Sequence, residues 1–394
     1  MEYIQKYCIF AAKKHSTMIH RLLEEQIKSQ MFKGKAIILM GSRQTGKTSL
    51  LAKIFPSEQD ALWLSGDDVD VQGLMENMTA QRMRMLLGDR KVVVVDEAQR
   101  IKDIGLRLKV VTDQMKDIQL VATGSSAFEL ANRLNEPLTG RKWEYQLYPL
   151  SFAEMVAHHG LLTEKRLLKH RLVYGYYPEV VTSPGNERNV LKMLADSYMY
   201  KDVLAMGNIK KSDKLLTLLQ AIAFQVGDQV SYSELASTVG IDVKTVESYI
   251  DVFEKCYIIF RLPSFSRNLR NELKNNRKIY FYDNGIRNAL ISNFSQMELR
   301  TDSGALWENF AISERIKYTV YNQLWCNRYF WRTHEQKEID YVEDSDGILS
   351  AFEFKYSPKK KVSIPKHFAE AYPETKFKVI TPDNLEEFVL VPPC

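Results

Sequence analysis

A short apolar segment, Lys35-Ala-Ile-Ile-Leu-Met40, runs straight into Gly41-Ser-Arg-Gln-Thr-Gly46-Lys47-Thr48, and no other stretch limits the fold so tightly. Glycines at 41 and 46 let the backbone turn sharply enough for successive N–H groups to converge. The helix-forming Ser49-Leu-Leu-Ala-Lys53 that follows aims its positive dipole end at the same point. Strand, glycine-containing loop and helix in this order make a phosphate-binding loop. The expected nucleotide-binding residues are Gly41, Ser42, Arg43, Gln44, Thr45, Gly46, Lys47, Thr48 and Ser49. Lys47 reaches the β and γ phosphates, and the Thr48 hydroxyl ligates Mg2+.

A second motif lies downstream. Val92-Val-Val-Val-Asp96-Glu97-Ala-Gln99 is the continuous β-branched run of a strand covered on both faces, and it ends in paired carboxylates. Asp96 is placed to hold the Mg2+ shell, and Glu97 to orient and deprotonate an attacking water. Between and around these motifs the chain alternates: strand at 35–40, helix at 47–54, strand at 61–64, a Met-rich helical stretch at 71–87, strand at 91–95, helix at 101–116 and strand at 118–123. Such alternation predicts a parallel sheet covered by helices, with the ligand at the carboxyl ends of its strands.

Ile118-Gln-Leu-Val-Ala122 ends in Thr123-Gly-Ser125-Ser126, which lies beside the phosphate loop if this strand sits between the two motif strands. Thr123 or Ser125 then senses the γ-phosphate; helix capping by Ser125 or Ser126 is the alternative. Arg141, in Leu138-Thr-Gly-Arg141, is a candidate to touch the γ-phosphate in its own subunit or in a neighbour's. A plain surface arginine is the alternative. Strand-like Trp143–Leu147 and Tyr148–Phe152 follow, and apolar positions Ile19, Leu22, Leu23 and Ile27 give the amino-terminal 33 residues a helical spacing.

These motifs resemble those of prokaryotic AAA+ type ATPases of a largely uncharacterised group. The likeness rests on Gly41–Thr48, Asp96-Glu97-Ala98-Gln99, Thr123-Gly124-Ser125, Gly140-Arg141, Tyr148–Phe152 and, further on, Gly175-Tyr-Tyr-Pro178-Glu179. It implies ATP and Mg2+ as cofactors and a carboxy-terminal domain of unknown function. Tyr176 departs from the pattern, standing where a small residue is expected.

Length and composition fit several domains. With 394 residues and 45% hydrophobic content, the chain is long enough for two or three packed cores. The net charge of +5 permits a nucleic-acid partner without demanding one. Apolar runs fall far short of the roughly 18 residues that span a bilayer, so a cytoplasmic protein with no membrane partner is expected. Cys8, Cys256, Cys326 and Cys394 form no Cys-x-x-Cys pair, and His158 and His159 are adjacent, so neither residue type suggests a metal site.

The expected architecture is an α/β P-loop NTPase parallel sheet followed by a winged helix and a further α/β domain. The boundaries read as 1–160 for the ATPase domain, 161–208 for a helical lid or connector, 209–285 for the winged helix and 286–394 for the last domain. The winged helix rests on helical Leu215–Phe224, Ser233–Val239 and Lys244–Lys255, then strand-like Tyr257–Arg261 and Lys278–Tyr282. Arg261, Arg267, Arg270, Lys274, Arg277 and Lys278 concentrate positive charge between those strands, which offers DNA a phosphate contact. Glu247, Asp251 and Glu254 on the third helix suit base reading poorly, and such modules also serve for packing alone.

Toward the end of the chain, Glu353 and Lys355 alternate onto one face of a strand, and Asp340 on a neighbouring strand can bring a third group there. Carboxylates and a lysine together suit metal-assisted phosphodiester hydrolysis. Glu308, Asp340 and Glu353-x-Lys355 resemble the PD-(D/E)XK nuclease fold. The resemblance implies Asp340 and Glu353 as metal ligands, Lys355 as the water-positioning base and Glu308 as an auxiliary acid. Binding without cutting, and a solvated sheet edge, remain alternatives. Lys359, Lys360 and Lys361 add possible phosphate contacts. Three functions follow: nucleotide-controlled DNA binding, an ATP-gated nuclease, and a switch that binds a protein partner or forms a homo-oligomer.

Overall fold

The structure is a computed structural model that describes residues 18–57, 59–124, 138–198, 212–265, 277–333, 335–357 and 362–390. The chain divides into two compact units, residues 1–150 and 151–394. Ser125, Arg267, Arg270, Lys274 and Lys359 to Lys361 lie outside the described residues.

In the first unit, strands β1 (Ala36–Met40), β2 (Leu62–Ser65), β3 (Val92–Asp96), β4 (Gln119–Gly124) and β5 (Lys142–Gln146) form one sheet in the order β2-β3-β4-β1-β5. Every pairing is parallel. The three central strands are the three apolar runs: β1, β4 and Val92–Val95 of β3 are wholly buried, as strands with helices on both faces must be. The edge strands β2 and β5 are only partly covered. The Met-rich stretch expected as one helix is two, Val69–Glu76 and Ala80–Leu87, because Thr79 accepts the Arg82 N–H and caps a new start. The amino-terminal spacing yields the helix Leu23–Gln30, with Leu23 and Ile27 buried.

Tyr148–Phe152, expected as extended chain, is a correction. The strand stops at Gln146, and Ser151 opens the helix Phe152–His159 with a reciprocal capping box to Glu154. That helix belongs to the second unit, where the Phe152 N–H donates to the buried Glu314 over 2.7 Å. Helices Leu161–Tyr174, Pro178–Val181 and Glu187–Met193 follow.

Further along the second unit come helices Ser212–Phe224, Tyr232–Val239 and Val243–Lys255, each near its expected place. They accompany β6 (Gln229–Val230), β7 (Ile259–Pro263) and β8 (Arg277–Phe281), an antiparallel sheet in the order β6-β8-β7. The 19-residue helix Ser303–Tyr321 is covered on nearly every side, so its polar residues are paired: Arg315 holds Glu343 through two bonds of 2.9 and 2.8 Å. Strands β9 (Asn327–Arg332), β10 (Glu338–Ser345) and β11 (Ile348–Phe354) form an antiparallel meander, and β12 (Lys376–Ile380) joins β11 in parallel. Phe265, Ile339, Val342, Leu349, Ala351 and Phe368 make one core there. No helix among the described residues is long and apolar enough to cross a membrane.

Candidate nucleotide site and a second charged cluster

The loop after β1 is held open by its own backbone chemistry. Gly41 passes so close to Leu147 that an added Cβ would lie 2.1 Å from the Leu147 carbonyl oxygen, while the Leu147 N–H donates to Met40 over 2.7 Å. Gly46, at φ 93°, turns the chain into the helix Lys47–Ile54. Within the loop the Thr45 hydroxyl donates to the Ser42 carbonyl at 2.8 Å. The buried Lys47 ammonium donates to the carbonyls of Gly41 and Ser42, both at 2.9 Å, so it lies across the mouth of the loop.

β4 lies between β1 and β3, which fulfils the condition set by the sequence for Thr123. The Thr48 hydroxyl donates to Asp96 Oδ2 over 2.9 Å. The Thr123 hydroxyl donates to the other Asp96 oxygen and accepts the Glu97 N–H at 3.1 Å. Glu97 itself has a left-handed backbone, φ 48° and ψ 43°, uncommon for a residue with a side chain and a form of strain found at functional sites. Its carboxylate accepts a 2.5 Å bond from Gln99. Thr48, Asp96, Glu97 and Thr123 thus converge beside the loop. A hydroxyl and a carboxylate within hydrogen-bond distance are hard oxygen donors that fit Mg2+.

The structure adds one residue to the site. Arg21, 6% exposed, donates to the Thr45 carbonyl at 2.6 Å and to the Tyr148 carbonyl at 2.7 Å, bracing the loop from outside. The sequence placed it in an amphipathic stretch; the only signal was a charged residue beside apolar Ile19 and Leu23.

Arg141 is a correction. β5 pairs with β1 with Lys142 opposite Ala36, so Arg141 lies where the strands begin. The phosphate loop is at the other end, about 17 Å away along five residues of strand. Arg141 is bound to Asp113 over 2.7 Å and does not reach a γ-phosphate in its own subunit.

The second charged cluster lies in the second unit. Glu308 is on the long helix, Asp340 on β10, and Glu353 at the end of β11 beside Lys355. Lys355 donates to Glu353 at 2.7 Å, and Asp340 accepts the Phe354 N–H at 2.8 Å. Burial and the charge of Asp340 push Glu308 up to about 7. Burial raises Asp340 and Glu353 as well. Lys278, Tyr280 and Glu338, which lie outside the four-residue pattern read from the sequence, join them.

The basic stretch around β7 and β8 is corrected in part. Arg261 is engaged by Asp251 at 2.8 Å and by Glu254, so acids that seemed to oppose DNA are partners of a neighbouring arginine. Lys278 is buried against Glu308 and Glu338. Arg277 donates to the Tyr232 hydroxyl at 3.2 Å.

Fold and site together define a P-loop nucleotide-binding domain of the ATPase type. Residues 33–156 match the family model described as an AAA domain. Residues 165–297 match Domain of unknown function (DUF8612), and residues 303–390 match Domain of unknown function (DUF4143). An uncharacterized protein of Mycobacterium tuberculosis is 24% identical over 343 residues, 86% of this chain and 74% of its own. One of Haemophilus influenzae is 25% identical over 341 residues, 79% of this chain and 80% of its own. Among solved structures, a Walker-type ATPase of Pyrococcus abyssi is similar in fold, with TM-score 0.51 and 14% identity, covering 70% of this chain and 96% of that one.

Proposed function

We propose that the protein binds and hydrolyses ATP with Mg2+, and that nucleotide state governs what its second unit offers a partner. The observation that carries the hydrolytic reading is the 2.9 Å bond between Thr48 and Asp96, which joins the loop after β1 to the end of β3. Amides of residues 42–48 cradle the phosphates, and Lys47 turns from the loop carbonyls to the β and γ oxygens. Thr48 and Asp96 would hold Mg2+, which would offset the charge on the phosphates. Glu97 orients the water and takes its proton, while Thr123 fixes Asp96 and Glu97 relative to each other.

In the second unit, the three helices and the β6-β8-β7 sheet support a winged-helix reading, and a helix followed by a three-strand meander and a parallel fourth strand supports a PD-(D/E)XK-like one. DNA is the partner class such modules offer. A second reading, a protein partner or a further copy of the chain, is favoured by the internal pairing of Arg261 and Lys278, which withdraws two cations from phosphate contact.

The test is ATP turnover by wild type and Lys47→Ala, alone and with duplex or single-stranded DNA. Wild type hydrolyses and the variant does not; stimulation by DNA identifies the partner. No stimulation, together with an ATP-dependent mass change in light scattering, selects the protein switch. Turnover equal in the two proteins removes the proposal.

A further inference from the structure

The residues that the sequence offers as a metal-dependent nuclease centre do gather, but the cation among their carboxylates is one the chain itself supplies. Lys278 comes from β8, outside the Glu308–Asp340–Glu353–Lys355 pattern, and its side chain is 3% exposed. Its ammonium is 3.1 Å from Glu308 Oε1, pairs with Glu338, and lies 5.6 Å from the centre of the Phe330 ring. Tyr280, two residues on and so on the same face of β8, donates to that same Glu308 oxygen at 2.5 Å.

The other acids are engaged too. Asp340 accepts a backbone N–H through Oδ2, and Glu353 is paired with Lys355. One or two carboxylates with water can hold Mg2+ when their charge faces it, whereas here Glu308 and Glu338 face Lys278 and Glu353 faces Lys355. The metal that the nuclease resemblance implies does not fit these residues as they stand.

We propose that Lys278 is the built-in cation of this cluster, holding Glu308 and Glu338 where a nuclease would hold a divalent metal. The Glu308–Asp340–Glu353–Lys355 constellation is then a charge cluster that stabilises the second unit, binds no divalent ion and cuts no phosphodiester. Buried charges of this kind depend on their partner, because removing one leaves the other uncompensated in a poorly solvated site.

The test uses the full-length chain without nucleotide. Mn2+ is titrated into wild type, Asp340→Asn and Glu353→Gln, and free ion is followed by electron paramagnetic resonance. The three curves coincide if the cluster holds no metal. A Mn2+ site present in wild type and lost in either variant overturns the proposal. In parallel, Lys278→Met lowers Tm by several degrees, and adding Glu338→Gln, which removes the other acid that Lys278 pairs, recovers part of the loss. A Lys278→Met chain that melts like wild type, or no recovery in the double variant, overturns it equally. Should Lys278→Met fail to fold, the Mn2+ comparison decides alone.

Discussion

Thr48 on the helix after β1 and Asp96 at the end of β3 are joined by a 2.9 Å hydrogen bond although β4 separates their strands. Thr123, at the end of that middle strand, donates to the same carboxylate. Two neighbouring strands and the helix that follows a third thus bring Asp96, Thr123 and Thr48 to one place, the carboxyl edge where such sheets bind ligands.

The first prediction separates binding from chemistry. Lys47→Ala removes the ammonium at the loop mouth and abolishes saturable uptake of a fluorescent ATP analogue. Glu97→Gln leaves that uptake within a few-fold of wild type and lowers turnover by about a hundredfold or more, the scale of a lost general base. Equal loss of binding in both variants would assign Glu97 a structural role.

Gly41 gives the second. An alanine there places its Cβ 2.1 Å from a backbone oxygen of Leu147, which no rotamer change relieves. Gly41→Ala therefore displaces the loop, costing about 2 kcal/mol or more in stability and removing ATP uptake. Chemical denaturation and the same fluorescent titration measure the two effects.

Arg141 supplies a third, because its place at the start of β5 puts it beside Asp113 and remote from the loop. Arg141→Ala leaves turnover unchanged at concentrations where the chain is monomeric. If the residue acts on a neighbouring subunit, activity falls only where light scattering detects assembly.

Most of the nucleotide site was legible because it is local: a loop of eight residues carries its own signature, and runs such as Val92–Val95 announce a two-sided strand. What was not legible depends on pairing across the chain. Nothing near Arg21 marks it as a brace for Thr45, 24 residues away. The placement of Arg141 follows from strand register, which spacing does not reveal. Lys278 reads as one more cation in a basic stretch, and only packing turns it toward Glu308, 30 residues on. β12 and the helix Asn284–Leu290 escaped notice because their apolar runs are short and their burial comes from tertiary contact.

Glu24 gives a fourth prediction. Burial would raise its pKa, but the ammonium groups of Lys28 at 2.7 Å and Lys53 at 2.6 Å hold it down to about 2. The folded chain then binds this proton less tightly than the unfolded chain. The stabilisation is complete above the ordinary carboxyl value of 4.5 and is lost as pH falls toward 2. Glu24→Gln costs about 2 kcal/mol at neutral pH and loses its effect in acid, as urea unfolding at stepped pH measures.

Glu308 behaves in the opposite sense. Burial and the Asp340 charge push its pKa up to about 7 from an ordinary 4.5, so the folded chain holds this proton more tightly than the unfolded chain does. Its contribution is complete below 4.5 and is lost as pH rises through about 7. Glu308→Gln stays neutral throughout and lacks that dependence. The stability of wild type relative to the variant therefore declines between about pH 4.5 and pH 8, by up to about 3 kcal/mol. Urea unfolding of both proteins across that range follows it, with Asp340→Asn as a third arm. Removing the neighbouring charge lowers the Glu308 midpoint and shifts the decline to lower pH. A difference that does not change with pH would mean that Glu308 ionises alike in the folded and unfolded chain, and the crowding of carboxylates around Lys278 would then have no energetic consequence.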